Sequence, residues 1–208
     1  MARACYYIYY IEYISLQGVV SMMRIKAVIL TLIVLIPVPA QSKEISGINI
    51  AEQAQLADQP LTLNGAGVRT KFVFDIYVGA LYLKQTTPDA GLAIQMAGPK
   101  RVLMHFLYDA VEKEKLTDGW SEGFENNLTE KQLQSLKPRL DHFNSLFISV
   151  KNGDEILLDY VPDKGTSVII NKNLKGTVAG EDFNRALLRV WLGEDPADSD
   201  LKSAMLGG

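Results

Sequence analysis

The spacing of apolar residues changes twice along this chain, and that change limits the fold more than any other feature. Leu61 to Lys84 reads as strands, with Phe72 to Leu83 rich in β-branched and aromatic residues. Arg101 to Tyr108 is a further strand, with Val102, Met104, Phe106 and Tyr108 on one face. From Val111 to Leu128 the period becomes helical: Leu116, Trp120, Phe124 and Leu128 recur every fourth residue as one apolar stripe. Thr129 with Gln132 forms a capping box that starts a second helix carrying Leu133 and Leu136. Pro138 is expected to interrupt that helix and open a further turn bearing Leu140 and Phe143.

Strand patterning then returns. Phe147 to Val150, Glu155 to Val161, Thr166 to Asn171 and Leu174 to Val178 are separated by turn sequences, including Asn152-Gly153, and predict a four-stranded antiparallel meander. Glu181 to Leu192 is an amphipathic helix burying Phe183, Leu187 and Trp191, with Gly193 placed to end it and a last short helix expected over Asp198 to Leu206. Strands, helices, strands and a helix predict an α+β domain, an antiparallel sheet with helices packed on one face.

Composition divides the chain in two. Of the first 40 residues, 29 are apolar, and they hold five of the nine tyrosines and the single cysteine, Cys5. Of the 21 basic and 24 acidic residues, three and one precede Gln41, which leaves 18 and 23 in the remainder, a net of −5. Met22-Met23-Arg24-Ile25-Lys26, the apolar run Ala27 to Ile36 and the sequence Pro37-Val38-Pro39-Ala40 predict a signal peptide over 22–40, cut after Ala40. The run is too short to span a membrane, which takes about 20 apolar residues. Residues 1–21 read either as a gene-model extension or as an unusually long n-region. The domain is then 41–208, exported to the periplasm or secreted, with no membrane span after cleavage.

That domain has no cysteine and only two histidines, His105 and His142, without metal-ligand spacing, so no metal and no cofactor is expected. It contains no nucleophile elbow, no phosphate-binding loop and no basic stripe for nucleic acid.

Asn64-Gly65-Ala66-Gly67 is expected to be a turn or bulge with two residues free to take positive φ. The sequence Gly65-Ala66-Gly67-Val68-Arg69, followed by Lys71-Phe72 and by Tyr77-Val78-Gly79-Ala80-Leu81-Tyr82-Leu83, resembles the N-terminal signature of the chalcone isomerase family. Trp120-Ser121-Glu122 with Asn127, and Gly180 to Gly193, resemble two of its helices, so the similarity runs from Leu61 to Gly193. It implies the family's open-faced β-sandwich. It also implies a site with Arg69 as the active-site arginine, Tyr77 at the position of a catalytic threonine, Trp120 at that of a cleft tyrosine, and Asn127 at that of an asparagine.

Two chemistries follow from the resemblance. In one, Arg69, Tyr77 and Asn127 are catalytic residues of an isomerase or intramolecular lyase, where a fixed cation stabilises charge developing on an enone or phenolic substrate. In the other, Arg69, Tyr77, Trp120 and Asn127 bind a small lipophilic carboxylate such as a fatty acid, as in the fatty-acid-binding branch. A non-catalytic envelope scaffold is the third reading. Each residue has a plainer role beside these: Arg69 as a surface ion-pair residue, Tyr77 as strand packing, Trp120 as core, and Asn127 as a helix end. On one straight strand Arg69 and Tyr77 lie about 26 Å apart, so a shared site requires a turn between them, expected near Thr70-Lys71.

Overall fold

The computed structural model describes residues 42–208; the expected extension 1–21, the expected signal peptide 22–40 and Gln41 lie outside the described residues. Within the described part, strands β1 (Ser42–Ile45), β2 (Ile48–Ala51), β3 (Gln53–Leu56), β4 (Gln59–Lys71) and β5 (Phe74–Leu83) precede a short helix α1 (Ala90–Gln95). Strands β6 (Lys100–Phe106) and β7 (Ala110–Val111) lead into helices α2 (Lys113–Asn127) and α3 (Glu130–Ser145). Strands β8 (Val150–Lys151), β9 (Glu155–Val161), β10 (Gly165–Ile170) and β11 (Asn173–Val178) follow, then helices α4 (Glu181–Leu192) and α5 (Ser199–Met205).

Seven strands form one antiparallel sheet in the order β11-β10-β9-β6-β5-β4-β3, with β1-β2 and β7-β8 as separate pairs. Strand β5 shows how the sheet divides the interior. Tyr77, Leu81 and Leu83 enter the larger apolar cluster shared with α2, α3, α4 and α5, while Val78, Ala80 and Tyr82 enter a smaller one. The second cluster is closed by Ile48 and Ile50 of the β1-β2 hairpin and by Leu61 of β4. The fold is thus the expected α+β arrangement with helices on one face, plus a β-hairpin across the opposite face. Residues 42–56 carry too few large apolar side chains to announce that hairpin.

Three expectations change. Helix α3 runs without a break through Pro138. A proline there removes one hydrogen bond and costs about 3 kcal/mol, which burial of Leu136, Leu140 and Phe143 on one stripe offsets. The capping box of Thr129 and Gln132 does form, with Thr129 N–H donating to Gln132 Oε1 at 3.0 Å. The meander has three long strands, not four: Phe147 is buried in the core and only Val150–Lys151 forms a strand, paired with β7.

The third change concerns Gly65 and Gly67, which are not turn residues with positive φ; both lie within β4. They are glycines because α5 lies against the strand: a Cβ on Gly65 would sit 2.1 Å from the Ala204 carbonyl oxygen, and one on Gly67 2.5 Å from Ala204 Cβ. The predicted bulge is real and falls at Asn64, where the β4-β5 register shifts between Leu63 and Gly65.

Candidate ligand-binding site

The Asn64 bulge decides which way Arg69 points. Leu61 and Leu63 face the smaller cluster, and plain alternation would carry Arg69 to that same face, eight residues after Leu61. One inserted residue inverts the alternation. After the bulge it is Ala66 and Val68 that face the smaller cluster, and Arg69 turns to the helical side. Asn64 is held by three hydrogen bonds: its amide donates to the Met205 and Thr87 carbonyls at 2.8 and 3.0 Å, and accepts from Thr87 N–H at 2.7 Å.

The hairpin supplies the second residue. Strands β4 and β5 turn at Phe72-Val73, two residues beyond the expected Thr70-Lys71, and Arg69 and Tyr77 become direct cross-strand partners. The Arg69 guanidinium carbon lies 5.8 Å from the centre of the Tyr77 ring, within cation–π range. Tyr77 is buried, and its hydroxyl oxygen accepts a hydrogen bond from Trp191 Nε1 at 2.9 Å. Burial pushes the Tyr77 phenol above its ordinary pKa, with the Arg69 charge and the Trp191 hydrogen bond partly opposing. It therefore stays protonated. With one lone pair taken by Trp191, its own hydrogen is left to donate.

Helix α2 brings Trp120 to the same place. Its ring meets Trp191, Phe143 and Phe147 with centroids 5.4–5.7 Å apart. Of this aromatic group, Trp120 borders a cavity of about 410 Å³. Arg69, Tyr77 and Trp120 line it together with apolar side chains that include Ile76, Met104, Phe106, Leu116 and Val190. Exposed Lys71, Tyr108, Glu112 and Lys115 form its rim. Two nitrogens of this lining, Arg69 Nε and Trp120 Nε1, are buried without a hydrogen-bond partner. Such groups are rare, because a buried donor left unpaired forfeits its hydration. Arg69 makes no ion pair among the described residues.

Asn127 is elsewhere. Its amide donates to the Gly123 and Asp195 carbonyls at 3.0 and 2.7 Å and accepts from Asp195 N–H at 3.1 Å, tying the end of α2 to the segment after α4. Seven helical residues return Asn127 to the azimuth of Trp120 but carry it about 10.5 Å along the axis, past the cavity. Gly193 is required beside it, since a Cβ there would lie 2.0 Å from Asn127 Oδ1.

Some of the site was readable only in part. Met104 and Phe106 were legible as one strand face, but not as a cavity wall. Trp191 reads as core by its spacing, yet it is the polar partner of Tyr77. Lys115 belongs to a charged run that reads as a solvated face; its place four residues before Gly119, also in the lining, was the available signal. No group of three His, Cys, Asp or Glu side chains suited to a metal occurs among the described residues.

Arg69, Tyr77 and Trp120 thus bring a cation, a phenol and an indole to the lining of one apolar cavity, a set suited to an anionic or strongly accepting head on an apolar body. No curated protein matches the sequence. Among solved structures, that of an Arabidopsis thaliana fatty-acid binding protein is similar with a TM-score of 0.63 at 16% identity, over 81% of this chain and 96% of that one. At that identity the likeness is one of fold. A family model, chalcone isomerase-like, matches residues 42–207. With nearly every described residue inside that match, the chain belongs to the chalcone isomerase-like family.

Proposed function

We propose that this protein is an exported carrier of a small lipophilic carboxylate of fatty-acid type, held with its head at Arg69, Tyr77 and Trp120 and its chain in the apolar cavity. The observation that carries this reading is the pair of buried, unpartnered donors, Arg69 Nε and Trp120 Nε1, in the lining of one cavity. A carboxylate supplies acceptors for both and for the Tyr77 hydroxyl, and its charge is balanced by the Arg69 guanidinium. The fatty-acid binding named for the structural neighbour agrees with it. The cavity volume falls in the range of about 300–1,000 Å³ usual for small-molecule sites.

Native mass spectrometry of the purified protein tests the reading directly. A co-purifying fatty acid is expected. Added fatty acid at a hundred times its Kd is expected to stabilise the fold by about 2.7 kcal/mol. Arg69→Ala is expected to weaken binding roughly tenfold or more, the cost of a charge-assisted hydrogen bond. No bound lipid and no thermal gain with fatty acids would overturn it. Export is tested by N-terminal sequencing of the protein recovered from its cells: Gln41 is the expected first residue.

One observation favours a catalytic second reading. The free hydrogen of the buried Tyr77 hydroxyl, beside Arg69, is also a means of stabilising an oxyanion as it forms on an enone. Loss of chalcone absorbance, with Arg69→Ala as control, decides this. Equal rates for both proteins and for buffer alone remove it.

A further inference from the structure

The tip of the β4-β5 hairpin carries three consecutive apolar residues in the open. Phe72 is 90% exposed, Val73 83% and Phe74 52%. The ring of Tyr108 meets Phe74 edge-on at 5.5 Å and extends the patch to the cavity rim. Single exposed apolar side chains need no explanation, but a contiguous aromatic tip does. Phe72 also holds φ +59°, a conformation that glycine or asparagine adopts without strain and a bulky residue rarely does. The turn thus accepts backbone strain with an aromatic ring displayed at its apex.

The tip is free of neighbours in the sheet. Strand β6 pairs with β5 only as far as Tyr77, and β3 pairs with the far end of β4, from Gln59 to Thr62. The hairpin therefore overhangs the sheet from Asp75 outward, by about 10 Å to the apex at roughly 3.3 Å per residue. That matches the about 5–10 Å to which apolar groups enter the boundary between headgroups and acyl chains.

Charge at the cavity mouth beside the tip has the sign opposite to the protein's own. The full chain carries a formal net charge of −3. The lining and rim of the cavity nevertheless hold Arg69, Lys71 and Lys115 against Glu112, while Asp75 on the hairpin and Asp198, which accepts from Thr70 N–H, lie outside that lining. Lysines beside an apolar tip suit an anionic lipid surface, where each basic group near the headgroups adds to attraction.

We infer that the Phe72-Val73-Phe74 hairpin tip, with Tyr108 and the lysines of the cavity rim, docks this protein on an anionic lipid bilayer with the cavity mouth facing the membrane. Docking stands on the tip and its charge; transfer of a fatty acid between bilayer and cavity rests in addition on the function proposed above. The tip takes the place of a lid: it brings the mouth to the donor surface, so the acyl chain passes from one apolar medium to another with little exposure to water.

The test places one reporter at the tip. In a Cys5→Ser chain, a cysteine introduced by Val73→Cys carries an environment-sensitive fluorophore, and a second chain carries the same label through Leu174→Cys, an exposed site on β11. Vesicles of phosphatidylcholine containing phosphatidylglycerol are expected to blue-shift the label at position 73 and shield it from aqueous quenchers, and to leave the label at 174 unchanged. Membrane binding through the leader alone would change neither label selectively, and equal responses at both sites overturn the proposal. A shift at 73 that needs protein concentration but no vesicles also overturns it, in favour of a second copy of the chain as the partner. The double variant Phe72→Ser/Phe74→Ser is expected to slow fatty-acid transfer from vesicles roughly tenfold or more, from the lost apolar burial. Its affinity for the same fatty acid in vesicle-free solution is expected to stay within about twofold, since neither residue lines the cavity. If no fatty acid binds at all, the carrier reading falls while the fluorophore still reports on docking.

Discussion

Arg69 and Lys100 are both basic residues within the sheet, and their surroundings give them opposite roles. Arg69 is partly buried, lines a cavity and has a buried Nε without a hydrogen-bond partner. Lys100 is buried in the core side of β6, where its Nζ donates to the Ile94 carbonyl at 2.7 Å. Burial pushes Lys100 down to about 8, assisted by the charge of Arg185. The sign of the consequence is fixed: between about 8 and its unfolded value near 10.5, the unfolded chain binds more protons at this group than the folded one, so stability rises with pH. Tyr82, pushed up to about 12 by burial, acts in the other direction and withdraws stability as pH rises from 10 through 12. Urea denaturation across pH 7 to 10 is expected to show the rise in the parent and not in Lys100→Met; an identical slope in both would remove the assignment. The sequence marked Arg69 through a motif, whereas nothing distinguished Lys100 from the other lysines, because its burial depends on where α1 ends and not on its neighbours in sequence.

Among the elements, β4 shows most clearly how a local irregularity becomes a site. The bulge at Asn64 inverts the faces of the strand, and three hydrogen bonds of its amide fix that inversion to the chain at Thr87 and Met205. Asn64→Ala removes all three and leaves buried carbonyl and N–H groups unmatched, for an expected loss of about 2–4 kcal/mol at about 0.5–1.5 kcal/mol each plus desolvation. Fatty-acid affinity is expected to fall with it, through loss of the aim of Arg69. The glycines beside it are set by α5. Gly65→Ala, which drives a methyl into the Ala204 carbonyl, is expected to cost about 1–3 kcal/mol or more. Gly119→Ala, on α2 with no atom near the new Cβ, is expected to gain about 0.5–1 kcal/mol from helix propensity. Thermal or urea unfolding of the pair checks both. In the sequence, Asn-Gly-Ala-Gly signalled an irregularity correctly but suggested the wrong cause: close approach of a helix some 140 residues away and a positive-φ turn ask for the same residue.

Across the whole molecule the sheet separates two apolar layers, and the two are expected to respond independently. Tyr82 faces the smaller layer, where its hydroxyl donates to the Ala51 carbonyl at 2.8 Å and so anchors the β1-β2 hairpin. Tyr82→Phe is expected to lower stability by about 1 kcal/mol and to leave fatty-acid affinity unchanged; Arg69→Ala is expected to do the reverse, as paired denaturation and binding measurements would show. Much of this organisation was legible beforehand. Helices α2 and α4 follow from four-residue stripes, β9 to β11 from alternation and turn residues, and the class of the fold from their order, because those signals are periodic and local. The hairpin across the second face was not, since Ser42 to Leu56 is short and polar and is ordered by the sheet it covers. The sequence alone determined that an acidic, cysteine-free α+β stretch follows 40 largely apolar residues, and it offered Arg69, Tyr77 and Trp120 as candidates. Only the tertiary structure decided that these three share one cavity and that Asn127 does not. A bulge sets the face of a strand, a two-residue turn sets which residues oppose, and axial rise separates residues that share an azimuth; each of these is a relation between elements, which no single stretch of sequence contains.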